Sequence, residues 1–263
     1  MLQLMTDINK CDMHIHTCFS DGEDSPEEAI MWARNCGMEC VAITDHDDVR
    51  GVKRAEAQAE KLGMIFHSGI ELSTDFKGIK LHILGYDIDT KDEVLKKACA
   101  VAAARRVNRN KKLVEVLNKT YGLTWEEVKA ETTSEYVGRP HMAKALVKKG
   151  LADDVRDVFK KIFSKPEIAS VKKENMSAEE AINIIKGAGG TPVLAHPGKI
   201  RKIGEKGSEE FFENVERIIL ELSQMGLEGL ECIHKDHSEQ EADSFMKMAQ
   251  KLNLLITRGS DHH

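Results

Sequence analysis

Aromatic residues make up only 5% of the 263 positions, which argues against an extended stacking platform for long single-stranded nucleic acid. A basic excess is missing too. The 38 Lys and Arg face 44 Asp and Glu, a net charge of −6, so no global field draws the chain to nucleic acid or to an anionic membrane. A phosphorylated ligand would have to be held by a local basic site or by metal ions. No apolar run approaches the roughly 20 residues of a membrane span. The opening MLQLMTDINKCD lacks the basic segment and apolar core of a secretory leader. The expected compartment is the cytoplasm, with no membrane association and no stable protein partner implied. The six cysteines, Cys11, Cys18, Cys36, Cys40, Cys99 and Cys232, form no C-x-x-C pair, which argues against a zinc ribbon. In a reducing compartment they are read as free thiols, with Cys18, two residues from His16, a bystander.

What is present is an alternation of strand and helix patterns. Strands are predicted over 11–16, 40–44, 64–71 and 79–86. A helix opens at Ser25-Pro26-Glu27-Glu28 and stops at Gly37, and a second covers 49–62, with Ser25 as N-cap and Pro26 at the first helical position. Repeated βα units favour an α/β fold, a parallel sheet with helices outside. From about residue 90 the period is helical throughout, over 91–119, 124–131, 139–149 and 153–162. Residues 90–171 are therefore read as a helical insertion, between barrel segments 1–89 and 172–263. The βα pattern then resumes, with Ser177 and Glu180 spaced as a capping box. Strands follow over 191–195, 227–233 and 253–257, and helices over 209–225 and 238–252.

Six stretches end or follow an apolar run with a metal-type ligand: His14-Ile15-His16, Thr44-Asp45-His46-Asp47, Gly69-Ile70-Glu71, Leu81-His82, Ala195-His196-Pro197-Gly198 and Gly259-Ser260-Asp261-His262-His263. Taken singly, each has an ordinary explanation. A lone His at a strand end is usually a satisfied polar group, Asp21-Gly22 is a turn, and Asp47 and Asp48 can cap a helix. Jointly they fall after most of the predicted strands, and in a parallel barrel all strand C-termini meet at one face. His14 and His16, two apart on a strand, leave the same face. Candidate ligands are His14, His16, Asp21, His46, Glu71, His82, His196, Asp261 and His263, with His262 a substitute for His263. Nine are too many for one four-coordinate ion, so two or three divalent ions are expected. Nitrogen and carboxylate donors without thiolate suit Zn, Mn or Fe.

The order H-x-H, S-D-G, T-D-H-D, G-I-E, H, H-P-G, G-S-D-x-H, running from His14 to His263, resembles the polymerase-and-histidinol-phosphatase (PHP) family of metal-dependent phosphoesterases. Gly138-Arg139-Pro140-His141 is similar to the G-R-P-H segment of the TrpH-like subgroup, which includes 3′,5′-nucleotide phosphatases and RNase AM, a 5′→3′ exoribonuclease. The resemblance implies a distorted (β/α)7 PHP barrel carrying an α-helical insertion, with a trinuclear centre at the C-terminal face. It implies that His14, His16, Glu71 and Asp261 hold one ion, that Glu71 and His82 serve a second, and that Asp21, His46, His196 and His263 serve the third or bridge to it.

Metal ions answer both needs of phosphate-ester hydrolysis: they neutralise phosphoryl oxygens and make hydroxide available near neutral pH. The expected mechanism is in-line attack of a metal-bound hydroxide on phosphorus, with Asp45, His46 or His196 assisting proton transfer. Arg139 is the foremost candidate for the substrate phosphate, because guanidinium grips phosphate oxygens in a fork. Arg106 and Arg109 on the long helix, with Arg105 beside them, Lys199 after H-P-G, and His141 are further candidates. A solvated helix face explains the first three equally well, and a helix N-terminal role explains His141. Tyr121, Trp125 and Tyr136 are read as core more than as base-stacking groups. The expected substrate is a nucleotide phosphate, with hydrolysis of the 5′ end of short RNA as the alternative. Competing classes are an amidohydrolase, which also uses H-x-H and a late Asp on a barrel, and a non-catalytic metal-binding module.

Overall fold

The computed structural model describes residues 7–132 and 136–263; the first six residues of the opening segment read above lie outside the described residues. The elements in chain order are β1 (Cys11–Ile15), α1 (Pro26–Asn35), β2 (Cys40–Ile43), α2 (Val52–Lys61), β3 (Ile65–Phe76) and β4 (Ile79–Tyr86). A long α3 (Glu93–Tyr121) is followed by the short α4 (Trp125–Lys129), α5 (Arg139–Lys148), α6 (Val155–Asp157), a π-turn over Val158–Ile162, and α7 (Pro166–Ala169). The chain closes with β5 (Met176–Ser177), α8 (Ala178–Gly187), β6 (Thr191–Leu194), α9 (Glu209–Gln224), β7 (Gly229–His234), α10 (Glu239–Lys251) and β8 (Leu255–Gly259). Two compact units result: Met1–Cys99 with Asn175–His263, and Ala100–Glu174. The divisions fall later than positions 90 and 171 read from the pattern. The start of α3 belongs to the first unit, where Leu95 lies in the main apolar cluster with Ala98 packed against it.

The first unit is an α/β barrel with strand order β1-β2-β3-β4-β6-β7-β8, and β5 added beside β3. Its ends meet where Ile15 bridges His262 in parallel and the His16 N–H donates to the His262 carbonyl at 2.9 Å. Cys11, Met13, Cys40, Ala42, Leu84, Tyr86, Val193 and Ala195 form a buried apolar cluster drawn from β1, β2, β4 and the β6 end. Ile15, Val41 and Ile43 pack with Ala29, Ile30, Ala33, Ala55 and Ala59 of α1 and α2, and a larger cluster joins β3 and β4 to α8, α9 and α10. Small residues at the contact face of α1 and α2 let those helices lie close to the strands. The helix starts follow their caps. Ser25 and Ser238 complete capping boxes with Glu28 and Glu241, whereas Ser177 makes only its own half, accepting from the Glu180 N–H.

The sheet is not all parallel. β4 runs against both β3 and β6, while the pairs β1–β2, β2–β3, β6–β7 and β7–β8 are parallel. The expected uniform βα repeat fails here because only a tight turn, Lys77-Gly78, joins β3 to β4. Both residues have positive φ, 52° and 83°, the geometry that suits a two-residue hairpin. A parallel crossover needs about a dozen residues or more. Glu71 therefore does not end a strand but sits midway along β3, and His82 lies near the start of β4.

The second unit is helical. Leu113, Leu117, Leu123, Val128, Met142, Leu146, Val158 and Phe163 form its own core, and Tyr121 and Trp125 pack against it, as their reading as core residues anticipates. Among the described residues no helix is long and apolar enough to cross a membrane. All six cysteines are free thiols.

Phe211 on α9 is fully buried in the main cluster. Phe211→Ala should therefore destabilise the first unit by about 3–5 kcal/mol, read as a lower urea midpoint. A change below about 0.5 kcal/mol, the level of an ordinary surface substitution, would show that α9 is not a core helix.

Candidate metal centre

Local distortions of the strands aim the candidate ligands. The β1–β2 register shifts between Asp12 and Ile15, and an irregularity of this kind re-aims side chains. Met13 sits in one apolar cluster and Ile15 in the other, while the His14 and His16 rings, both fully buried, converge. The turn after β1 folds back tightly: a Cβ on Gly22 would lie 2.6 Å from the His16 carbonyl oxygen, so only glycine fits, and Asp21 beside it reaches the site. On β3 and β4, Ser73 pairs with His82 and Glu71 with Leu84. Glu71 and His82 are thus diagonal neighbours on one face, and the Glu71 Oε1–His82 Nδ1 separation is 2.8 Å.

All nine candidate ligands fall into overlapping groups. In the first, His14 Nε2 and His16 Nε2 are 3.1 Å apart. Glu71 Oε2 lies 3.5 and 3.4 Å from them, and Asp261 Oδ1 lies 3.6 and 3.3 Å away. A tetrahedral site with metal–ligand bonds of about 2.0–2.1 Å has edges of roughly 3.3–3.4 Å, close to the separations within the His14, His16 and Asp261 group and from Glu71 to the two histidines. In the second, Glu71 Oε1 takes His82 Nδ1 at 2.8 Å and His196 Nε2 at 2.9 Å. In the third, Asp21 lies 3.8 Å from His16 Nδ1, 3.8 Å from His46 Nε2 and 3.5 Å from His263 Nε2. His46 Nδ1 is also 2.7 Å from Glu71 Oε2. His196, expected at the third ion or bridging to it, falls in one ligand group with His14 and Glu71 and meets Glu71 Oε1 as His82 does, because β6 lies beside β4 in the sheet. His262 is not in the cage. It hydrogen-bonds Asp24 at 3.0 Å and stacks on Trp32 at 3.7 Å.

The donor set fits divalent cations. Glu71 Oε2 and Asp21 Oδ1 are buried without a hydrogen-bond partner, a costly state for carboxylate oxygens unless a cation compensates. Burial lowers His16 and His196 to about 4, leaving neutral imidazoles whose lone pairs can ligate. Burial opposes charge on Glu71, but His46, His82 and His14 outweigh it and hold its carboxyl well below the usual range. Burial likewise opposes charge on His46, yet Glu71 and Asp21 raise it to about 9.

The remaining sequence candidates occupy varied positions. Asp45 is almost wholly buried, and burial pushes it up to about 6. Its carboxylate accepts from the Thr17 N–H and hydroxyl, both at 2.7 Å, and from the Ser20 hydroxyl at 2.6 Å. Lys199 donates to Asp261 Oδ2 at 2.8 Å. Within the second unit, the Arg106 guanidinium lies over Tyr136 at 4.6 Å and that of Arg139 over Phe159 at 5.7 Å. Burial, with Arg139 and Arg106 nearby, lowers Arg109 to about 10, and its Nε is buried without a hydrogen-bond partner. His141 Nδ1 accepts the Gly138 N–H at 3.0 Å, which closes the start of α5. Sequence reasoning passed over Glu231, His234 and His237, all in or just after β7. Leu-Glu-Cys-Ile-His-Lys-Asp-His has the same strand-end pattern as the other clusters and was a usable signal.

The family model described as the PHP domain matches residues 12–228. A 3′,5′-nucleoside bisphosphate phosphatase of Chromobacterium violaceum is 30% identical over 254 residues, covering 96% of this chain and 86% of that protein. A 5′-3′ exoribonuclease of Haemophilus influenzae is 29% identical over 258 residues, covering 97% and 90%. A solved structure of an amidohydrolase from Chromobacterium violaceum, with bound sulfate and no metal, has a TM-score of 0.87 at 30% identity, covering 97% of this chain and 87% of that one.

Removing bound ions exposes the buried carboxylates to one another. Chelation should lower the thermal midpoint by roughly 5–10 °C, because a ligand at about 100 times its Kd stabilises by about 2.7 kcal/mol and each kcal/mol moves the midpoint by roughly 2–4 °C. Calorimetry before and after chelation, with metal content measured, checks this. An unchanged midpoint after demonstrated metal loss would count against a buried cationic centre.

Proposed function

This chain belongs to the PHP-domain family, and on that premise we propose that its substrate is a nucleotide phosphate, a 3′,5′-bisphosphate nucleotide or a 5′-nucleotide. The chain is a metal-dependent phosphoesterase. The observation that carries the substrate reading is the similarity to a 3′,5′-nucleoside bisphosphate phosphatase along 96% of this chain. The G-R-P-H segment at Gly138 supports placement in the TrpH-like subgroup.

Mn, Zn or Fe ions bound here would neutralise phosphoryl oxygens and lower the pKa of a water. The protein's part is to hold them and to manage protons. His14, His16, Glu71 and Asp261 would form one binding cage. Glu71 would reach a second with its other oxygen, beside His82 and His196, and Asp21, His46 and His263 would form a third. His46 and His196 are the side chains we assign to proton transfer, each through a ring nitrogen that no ion occupies. Asp45 takes a different part from the one first expected. With three donors on its carboxylate, it anchors the turn that carries Asp21. The Lys199 ammonium, 41% exposed and held by Asp261, can turn to a phosphoryl oxygen. In the second unit we assign phosphate affinity to Arg106, Arg109 and Arg139, with His141 shaping the loop before Pro140.

The exoribonuclease reading is kept as the alternative because the Haemophilus influenzae relative matches 97% of the chain. Both rest on one chemistry and differ in the leaving group.

Phosphate release from a 3′,5′-bisphosphate adenosine nucleotide, AMP and a 5′-phosphorylated RNA oligomer, with Mn²⁺ added, separates the readings. We expect release from the small nucleotides, abolished by His14→Ala. Loss of charge-assisted hydrogen bonds worth about 1.5–3 kcal/mol predicts that Arg139→Ala raises KM by about 10- to 100-fold, with metal content unchanged. Stepwise shortening of the RNA from its 5′ end would replace the mononucleotide reading with the exoribonuclease. Metal-loaded protein inactive on all three would overturn the nucleotide reading, and an amide panel would then test the amidohydrolase alternative.

A further inference from the structure

β7 and the turn after it place Glu231 and His234 against residues of the metal centre that come from other strands, and His237 against Gly198, two residues after His196. Glu231 is fully buried. Its Oε1 lies 3.0 Å from His14 Nδ1, and its Oε2 accepts the His196 N–H at 2.7 Å. A carboxylate at Nδ1 keeps the His14 proton there, so the lone pair sits on Nε2, the atom that faces His16, Glu71 and Asp261. His234 Nδ1 accepts the Asp236 N–H at 3.0 Å. Its ring proton therefore sits on Nε2, which points at Asp261 Oδ2 at 3.2 Å. His234 lies near enough to Asp236 and Asp261 to form a ligand group with them. With one ring nitrogen accepting and the other donating, however, it has no lone pair to give an ion. His237 donates from Nδ1 to the Cys232 carbonyl at 2.9 Å and accepts the Gly198 N–H at Nε2 at 3.1 Å. The Lys235 ammonium donates to the Asp261 carbonyl.

Two of the residues so held are strained. His196 has φ 28° and Asp261 φ 51°, a region that residues with a Cβ rarely occupy and that persists only where the surroundings over-determine it. β7 and the turn after it hold the His196 turn at its backbone and Asp261 at both side chain and backbone. The His196 turn is fixed by Glu231 at one end and His237 at the other, and Asp261 is fixed by His234 at its carboxylate and Lys235 at its carbonyl. The β7–β8 register shifts between Glu231 and Ile233. Ile233 packs against the outer apolar cluster, and three residues after Glu231 the His234 ring reaches the centre as well. Regular alternation would send residues 231 and 234 to opposite faces.

We propose that β7 is the clamp of the metal centre, in which Glu231, His234 and His237 are positioning residues that orient His14, His196 and Asp261 for ligation. The clamp rests on the metal-centre reading and is independent of which phosphate ester is hydrolysed. Such outer partners set the tautomer and direction of ligands, and their loss typically weakens metal affinity by about 10- to 100-fold. Glu231→Gln isolates the effect, because an amide has one accepting and one donating end and cannot satisfy both the His14 Nδ1–H and the His196 N–H. His234→Leu removes the donor to Asp261, while His234→Gln can restore it.

The experiment measures Mn²⁺ and Zn²⁺ dissociation constants by chelator competition, with the thermal midpoint of each metal-free variant alongside. Expected is about a 10- to 100-fold weakening for Glu231→Gln and His234→Leu, near-wild-type affinity for His234→Gln, and metal-free midpoints close to wild type. If Glu231→Gln does not fold, the two His234 variants decide. Wild-type affinity in folded Glu231→Gln and His234→Leu overturns the clamp alone. So does weakening that merely follows a lowered metal-free midpoint, or that His234→Gln fails to rescue. A wild type that binds neither ion overturns the clamp together with the metal centre.

Discussion

The site depends on a single buried carboxylate. Glu71 is fully buried, and His14, His16, His46, His82 and His196 all lie within 3.5 Å of its two oxygens. An isolated carboxylate in such a place would be strongly disfavoured. His46, raised to about 9, and His14, raised well above its ordinary value, carry part of the compensating charge, while burial keeps His16 and His196 neutral at about 4, with lone pairs to give. Divalent cations held by those donors would take over that compensation. The converging nitrogen and oxygen atoms are a consequence of that constraint, and so is the need for strands that bring them together.

Ordinary barrel geometry does not deliver these atoms unaided. β4 is reversed, so His82, in the first half of β4, meets Glu71, midway along β3, across an antiparallel pair, whereas His46, His196 and Asp261 follow the ends of β2, β6 and β8. Register shifts in β1 and β7 turn histidines that strict alternation would send elsewhere. Close packing leaves little tolerance: a Cβ on Gly259 would lie 2.2 Å from the His14 Cβ and 2.4 Å from Glu231 Oε1. Positive φ at His196 and Asp261 is strain held at the chemistry by hydrogen bonds from β7. Departures from regular structure thus cluster where the ligands are, as expected when local preference gives way to a functional arrangement.

Much of the fold was legible along the chain, and the reasons are local. Ser25-Pro26 and Ser238 with Glu241 mark helix starts because a capping hydrogen bond needs only nearby residues. The all-helical stretch after residue 90 declared itself by period. The misreading at β3 and β4 came from treating each strand as one more repeat. The seven residues between Glu71 and Ile79 were too few for a parallel crossover, and that count alone signals a hairpin. Asp45 was read as chemistry because it adjoins His46. Both follow β2, which ends at Ile43, and the Asp45 carboxylate is taken up by Thr17 and Ser20.

The inventory of the metal centre belongs to the sequence. Six ligand-bearing stretches, each ending or following an apolar run, named eight of the nine candidates, and the turn at Ser20-Asp21-Gly22 named the ninth, since a residue's donor chemistry and its place after a strand are properties of the chain itself. Which of them share a cage was decided only in three dimensions. His196 pairs with His82 because β6 lies next to β4, His263 rather than His262 enters because the latter's ring is taken by Trp32, and Glu231 and His234 matter because β7 lies between β6 and β8 in the sheet. Donor chemistry is written residue by residue, but ligand grouping and the proton on each imidazole depend on distances of about 3 Å between residues far apart in the chain, such as His14 and Glu231, 217 positions apart, and only strand order and strand irregularity set those.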